Sequence, residues 1–414
     1  MTAKKGITMT QPLQGIRVLD NTRALAGPYA TLLLTLLGAE VIRIQDPSDA
    51  ERLSPPYIGT DGAKVVSDSP DDVSFAEITR HRGKKSITLN LYDKRSLEVW
   101  DRLVAQSDVI VDNYTAGTAD KIGVGYRRAR EVNPRIVYAA LSGFGSDEKY
   151  RGAPAMDALV QSLSGAMLAS GSTGEPPVRV GFPIADLSAP LYGVIGILAA
   201  LRERDLSGEG QMVDVSMLGS LTAMMATESW EYFDELGMEV RTGGRLQRLT
   251  PWGVFETSDG WATIIGVKEK WLDGIVDAMG EPEILQDERF LTRDLRVRNY
   301  LAFEARIENW TRSLSTHEVV AELSARGVPC ATVRDPATAI LDPDALERGD
   351  VVRIPFANGS ASVLGTGLPI RFSRTPREDA FRLATRGADT DETLKQVAGY
   401  DDDEIARLRS EGLV

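Results

Sequence analysis

Within its first 45 residues the chain spells out a strand, a helix, a glycine stop and a second strand. Ile16-Arg-Val-Leu-Asp20 is a short apolar run. Gly27-Pro28 follows, placing proline at a first helical position, and residues 29–37 form an apolar helix closed by Gly38 before the strand Val41-Ile-Arg-Ile44. A βαβ unit of this size can bury its faces only against more of the same. The pattern does continue: strands are predicted at 86–91, 109–112 and 135–141, and helices at 94–106, 125–132 and 157–168. Such alternation predicts an α/β fold, a mostly parallel sheet covered on both faces in a Rossmann-like domain.

Beyond residue 179 the spacing predicts an apolar helix at 192–202 and a long helix rich in Met, Ala and Leu at 215–236. From about residue 241 the character changes to an isolated strand at 261–267, helices at 270–279, 301–314 and 316–326, and a strand at 328–333. With 414 residues the chain has room for two or three domains. We expect a disordered N-terminus over 1–11, a large domain beginning with 12–224 and a smaller α+β domain over 225–330. The tail from Pro336 alternates turns and short strands and ends in a charged helix at 402–410.

Residues 1–11 are polar and lack the apolar centre of a signal peptide, and the longest apolar runs, 29–37 and 192–201, fall short of a membrane span. The expectation is a cytoplasmic protein without a membrane partner. With 47 Lys and Arg against 60 Asp and Glu, the net charge of −13 argues against nucleic acid or anionic lipid as the main partner. Only His81, His317 and Cys330 represent their residue types, which excludes iron–sulfur, structural zinc and disulfide frameworks, and no metal is expected. Both histidines read as surface groups and Cys330 as a small buried residue. Catalysis then falls to carboxylates, hydroxyls, backbone amides, Arg or Lys. Gly123-Val-Gly125 and Gly143-Phe-Gly145 lack the third glycine of a dinucleotide fingerprint, and Gly83-Lys-Lys-Ser86 lacks the first glycine of a phosphate loop.

Two features retain a functional reading beside a plainer one. The run Arg80-His-Arg-Gly-Lys-Lys85 gathers four permanent cations, either as a solvated loop or as a site for a ligand with several phosphates. Asp186 is the only ionisable group in Val180-Gly-Phe-Pro-Ile-Ala-Asp-Leu-Ser-Ala-Pro190. It is either a helix N-cap or a desolvated carboxylate able to act as nucleophile or base.

An ordered set of motifs runs along most of the chain. The set opens with Leu13-Gln-Gly-Ile-Arg-Val-Leu-Asp20, Ala26-Gly-Pro28 and Leu37-Gly-Ala-Glu-Val-Ile-Arg-Ile44. It continues through Arg82-Gly-Lys-Lys-Ser-Ile87, Asp108-Val-Ile-Val-Asp-Asn-Tyr114, Asn133-Pro-Arg-Ile-Val-Tyr138, Ser142-Gly-Phe-Gly145 and Ala185-Asp186 to Gly208-Glu-Gly-Gln211, Arg289-Phe290 and Gly327-Val-Pro329. Taken in this order, the set resembles the class III (CaiB/BaiF, formyl-CoA transferase-like) CoA-transferases. The resemblance implies an interlocked homodimer whose large domain is completed by residues 331–414. It also implies an enzyme that moves CoA from an acyl-CoA to a carboxylic acid, with the CoA thioester as substrate and no tightly bound cofactor.

Asp186 matches the family's nucleophile, which forms an aspartyl mixed anhydride and then an aspartyl-CoA thioester. Asp157 matches a second carboxylate. The positions matching CoA contacts are Arg23, Ala24, Ala26, Arg82, Lys84, Lys85, Asn113, Tyr114 and Lys121. Leu25, Met156, Gly243 and Gly244 match acyl-group contacts, and Leu25 in place of a polar residue implies a substrate other than formate or oxalate. Racemases of the family carry a histidine where Met156 stands, so racemisation is the lesser alternative, beside a non-catalytic CoA-binding subunit of a hetero-oligomer. Arg23, Arg245 and Arg248 are candidate anchors for a distal carboxylate, with succinyl-CoA as the expected donor.

Overall fold

The computed structural model describes residues 11–48, 55–59, 62–69, 72–146, 148–150, 152–356, 361–375 and 381–414. Apart from Gln11, the expected disordered N-terminus lies outside them. The chain divides into two compact units. The first comprises Met1–Ser164, Phe182–Met224 and Ile340–Val414, and the second Gly165–Gly181 and Met225–Ala339. The first unit thus gives up 165–181 from the run expected over 12–224, and the second extends to 339 instead of 330.

The first unit is built on six parallel strands: β1 (Arg17–Asn21), β2 (Glu40–Gln45), β3 (Lys85–Thr88), β4 (Val109–Asp112), β5 (Val137–Ser142) and β6 (Met212–Ser216). Their order is β3-β2-β1-β4-β5-β6, that of a doubly wound dinucleotide-type sheet. The crossovers carry α1 (Ala26–Leu36), α2 (Phe75–His81), α3 (Leu97–Ala105), α4 (Tyr126–Val132), α5 (Asp157–Leu163) and α6 (Ile184–Ser207). In α3 the apolar spacing is plain: Val99, Trp100, Leu103 and Val104 are buried along one face. They meet Ile42, Ile87 and Ile110 from the sheet and, from the end of the chain, Leu394, Val397, Ile405 and Leu408. The C-terminal segment is therefore part of this core.

In the second unit an antiparallel sheet orders β7 (Trp252–Glu256), β8 (Trp261–Ile265) and β9 (Cys330–Thr332). Helices α7 (Glu269–Met279), α8 (Tyr300–Arg312) and α9 (Thr316–Ala325) cover it around Phe255, Leu272, Phe290, Phe303 and Leu323. Cys330 is half-buried beside this core.

Several expectations need correction. The strand at β8 is not isolated, because β7 pairs with it along its length. The long helix expected over 215–236 is a strand to Ser216 followed by a nine-residue helix, Met217–Met225. The helix expected over 157–168 stops at Leu163, where Gly165 (φ +86°) turns the chain before the short helix Ala166–Ala169. Helix α6 is 24 residues, not the eleven expected over 192–202, and contains Pro190 in its interior. Its length and apolar composition would suffice to cross a bilayer, contrary to the sequence reading, but half of that stretch is buried and the helix packs on α1, β5 and β6.

Leu394 is fully buried in the first unit's core. Leu394→Ala is expected to lower unfolding stability by about 2–5 kcal/mol. The control Leu301→Ala, at a 70% exposed position, leaves it within about 0.5 kcal/mol. Denaturant titration of both variants checks this.

Candidate active site

The carboxyl ends of β1 and β4, where the strand order reverses, form the crevice in which sheets of this type bind ligands. The first βα turn, residues 22–25, sits there and is fastened from three sides. Asp20, wholly buried at the end of β1, accepts hydrogen bonds from the Thr22 amide (3.0 Å), from the Thr31 hydroxyl on α1 (2.7 Å) and from the Lys84 ammonium (2.9 Å). The Asn113 side chain bridges both backbone groups of Arg23, at 2.9 and 2.7 Å. Arg80 of α2 donates from Nη1 to the Ala24 carbonyl at 2.8 Å. So held, Ala24 takes φ +62°, unlike any other non-glycine residue described. Gly27 is required just beyond, since a Cβ there would lie 2.4 Å from that of Thr22.

Behind the turn lies a cavity of about 140 Å³, walled by Leu25, Asn113, Phe144, Tyr150, Met156 and Asp186. It has room for several water molecules, and so for a short acyl chain. Asp186 stands in the first turn of α6, and its side chain caps nothing: the N-cap is Pro183, without a side-chain cap bond. The capping is done from another helix. Asp157 Oδ1 accepts from the Ala185 amide at 2.9 Å and from the Asp186 amide at 3.5 Å, while Gln161 donates to Asp157 Oδ2 at 2.7 Å. The plainer reading of Asp186 as an N-cap is thereby set aside.

Among the described residues no hydrogen bond reaches the Asp186 carboxylate. Burial, and then the like charge of Asp157, push its pKa up to about 6, while Arg80 acts in the opposite direction. An acid that is ionised at neutral pH yet poorly solvated suits nucleophilic attack.

The other expected contacts divide. Leu25, Ala24, Ala26, Asn113, Tyr114 and Met156 border the Asp186 cavity. Tyr114, with Arg23, borders a second cleft at the ends of β1 and β2, lined also by Arg386, which sequence reasoning missed, and by Arg43, itself buried against Glu77. Lys121 is exposed on the short helix Thr118–Ile122.

Arg82 and Lys84 do not serve as open phosphate binders. Each is 1% exposed, Arg82 donating to the Thr79 and Thr366 carbonyls and Lys84 to Asp20, Thr31 and the Pro28 carbonyl. Lys85 pairs with Glu40 at 2.8 Å. His81, expected at the surface, is buried and its pKa is driven well down by that burial and by Lys84, so it is neutral; His317 is exposed, as expected. Gly243 and Gly244 are exposed in the second unit, where the Gly243 amide donates to the Gly171 carbonyl at 2.9 Å. Arg245 is taken up by Glu304 and Glu308 and Arg248 by Glu228, so neither is an unpaired carboxylate anchor. The residue missed beside Asp186 is Arg80, whose position depends on a carbonyl 56 residues away.

The profile of CoA-transferase family III matches residues 13–390. The succinyl-CoA:mesaconate CoA-transferase of Haloarcula marismortui is 31% identical over 368 residues, 88% of this chain and 90% of that protein. The succinyl-CoA:glutarate CoA-transferase of Homo sapiens is 29% identical over 408 residues, 98% of this chain and 90% of that protein. The crystal structure of a CaiB/BaiF family protein from Brucella suis superposes with a TM-score of 0.80 at 28% identity, covering 94% of this chain and 100% of that one.

Because the folded state binds the Asp186 proton more tightly than the unfolded chain, ionising this group costs stability. That cost is absent below its ordinary value of 3.8 and fully present above about pH 6. Asp186→Asn is therefore expected to stabilise the protein at pH 7.5 by about 1–2 kcal/mol, allowing for partial solvent screening, and to change little at pH 4. Thermal or denaturant unfolding at the two pH values measures the difference.

Proposed function

This chain belongs to CoA-transferase family III, and from that premise we propose that it carries CoA from succinyl-CoA or a similar dicarboxylic thioester to a second carboxylic acid through covalent intermediates on Asp186. The observation that carries the reading is the Asp186 carboxylate itself: partly desolvated, unbonded and set in the wall of a cavity of acyl-group size.

In the first step a carboxylate oxygen of Asp186 attacks the thioester carbon, the C–S bond breaks and CoA leaves as thiolate. The product is a mixed anhydride between the acyl group and the aspartyl side chain. The thiolate then attacks the aspartyl carbonyl, expelling the donor acid as its carboxylate and leaving an aspartyl-CoA thioester. The incoming acid attacks that thioester, forming a new mixed anhydride and freeing the thiolate again. Attack of the thiolate on the acyl carbonyl releases the new acyl-CoA and regenerates Asp186. Activation is conserved at each step, so no external energy source is needed, provided water is kept from the anhydride. Leu25 and Phe144, both half-buried, contribute apolar surface toward that exclusion.

The relatives named above act, by name, on succinyl-CoA with mesaconate or glutarate, which supports a dicarboxylic substrate class. The racemase reading is weaker because Met156, adjoining Asp157, cannot exchange a proton. The interlocked homodimer belongs to this proposal too, and sedimentation of the purified chain tests it.

Asp186→Ala is expected to reduce CoA transfer at least 10³-fold with the far-UV circular dichroism unchanged. Hydroxylamine added during turnover converts one aspartyl carbonyl of the wild type to a hydroxamate, located at residue 186 by peptide mass spectrometry. Undiminished transfer in the variant, or a label elsewhere, rejects the assignment.

A further inference from the structure

We infer that Arg80 is the positioning residue of the Asp186 site: one guanidinium fixes the turn that borders the cavity and holds a positive charge at the wall of the cavity that contains the nucleophile. The inference rests on the reading of Asp186 as the nucleophile.

The run Arg80-His-Arg-Gly-Lys-Lys85 looks uniform in sequence, yet its cations have different fates. Arg82 is buried on backbone carbonyls, Lys84 is buried on Asp20 and Lys85 is paired with Glu40. Arg80 is half-buried, and among the described residues no carboxylate stands within ion-pair distance of it. Its Nη1 is committed to the Ala24 carbonyl. Ala24 is the residue held at positive φ, and it lines the same cavity as Asp186. The guanidinium is thus anchored to main chain that lines the Asp186 cavity, without a direct ion pair to that carboxylate among the described residues.

That placement has a chemical consequence. A direct bidentate ion pair would keep Asp186 charged but would occupy the oxygens that must attack. A cation held a little away lowers the cost of ionisation and leaves the oxygens open. The charged groups acting on Asp186 are Asp157, from the start of α5, and Arg80, from the end of α2, and they oppose one another. On Arg80's own helix His81 is neutral, and Glu77 is paired with Arg43. Arg80 is therefore the counterweight to the like charge that Asp157 brings when it caps α6.

The test uses exchange of labelled succinate into succinyl-CoA, followed from pH 5 to 9 in wild type, Arg80→Gln, Arg80→Lys and Asp186→Ala. Arg80→Gln keeps a hydrogen-bond donor but loses the charge. It is expected to move the acidic limb of kcat/KM to higher pH, so that the loss at pH 6 exceeds the loss at pH 8.5 by roughly 3- to 10-fold. Arg80→Lys returns the limb to its wild-type position. Ala24→Gly combined with Arg80→Gln, where glycine accepts positive φ without the clamp, recovers the pH-independent part of the loss and leaves the limb displaced; it also serves if the single variant folds poorly. Independently of turnover, the ¹³C titration of the Asp186 carboxyl shifts upward in Arg80→Gln. A pH profile and titration that superimpose on those of the wild type overturn the role of Arg80 while Asp186→Ala stays inactive. An active Asp186→Ala overturns the reading beneath it instead.

Discussion

The first unit is organised around a buried ion pair. Asp20 is the penultimate residue of β1, Lys84 stands just before β3, and both are removed from solvent. Such a pair is stable only when its remaining hydrogen-bonding capacity is met. Here Thr22, Thr31 and the Pro28 carbonyl meet it, and these same groups belong to the first βα turn and the start of α1. The electrostatic requirement of the pair thus dictates the path of the chain at the mouth of the crevice. Neither the position of Leu25 nor that of the Ala24 carbonyl is independent of it. A chain with apolar residues at 20 and 84 would lose the constraint that gives the turn a single shape.

How much of this was readable in the residues alone follows from what each signal encodes. The parallel sheet was legible, because buried strands carry continuous apolar runs such as Val109-Ile-Val111, bounded by polar and turn residues. Helix α6 was cut short because proline ordinarily marks a boundary, whereas Pro190 merely forgoes one amide bond inside a helix held by its packing. The Met- and Ala-rich run after residue 215 has helical propensity throughout, yet tertiary structure ends the helix at Met225. Asp186 stood out because an isolated acid among apolar residues needs a reason. The basic run did not sort itself, since charge is written in the sequence while the partner of each charge is set by the fold. Arg82 and Lys84 were consequently taken for ligand contacts when they serve the framework.

Burial does two things at Asp186 that cannot be separated. It raises the proton affinity of the carboxyl, which costs stability at neutral pH, and it removes the water that would otherwise solvate a nucleophile and hydrolyse an activated acyl group. The site is held in this unfavourable state by surroundings that are themselves well satisfied: a capped helix start, a clamped turn and the close-packed Gly27 and Gly143, neither of which tolerates a Cβ.

The bond from Asp157 to the Ala185 amide couples mechanics to acidity. The carboxylate that secures the opening turn of α6 is also the negative neighbour that, after burial, adds to the reluctance of Asp186 to ionise. Fraying of that turn would slacken the hold and relieve the repulsion together, giving a more acidic but poorly aimed side chain. Part of the proton affinity and the aim of the side chain thus depend on one contact, and a change at residue 157 would disturb both at once.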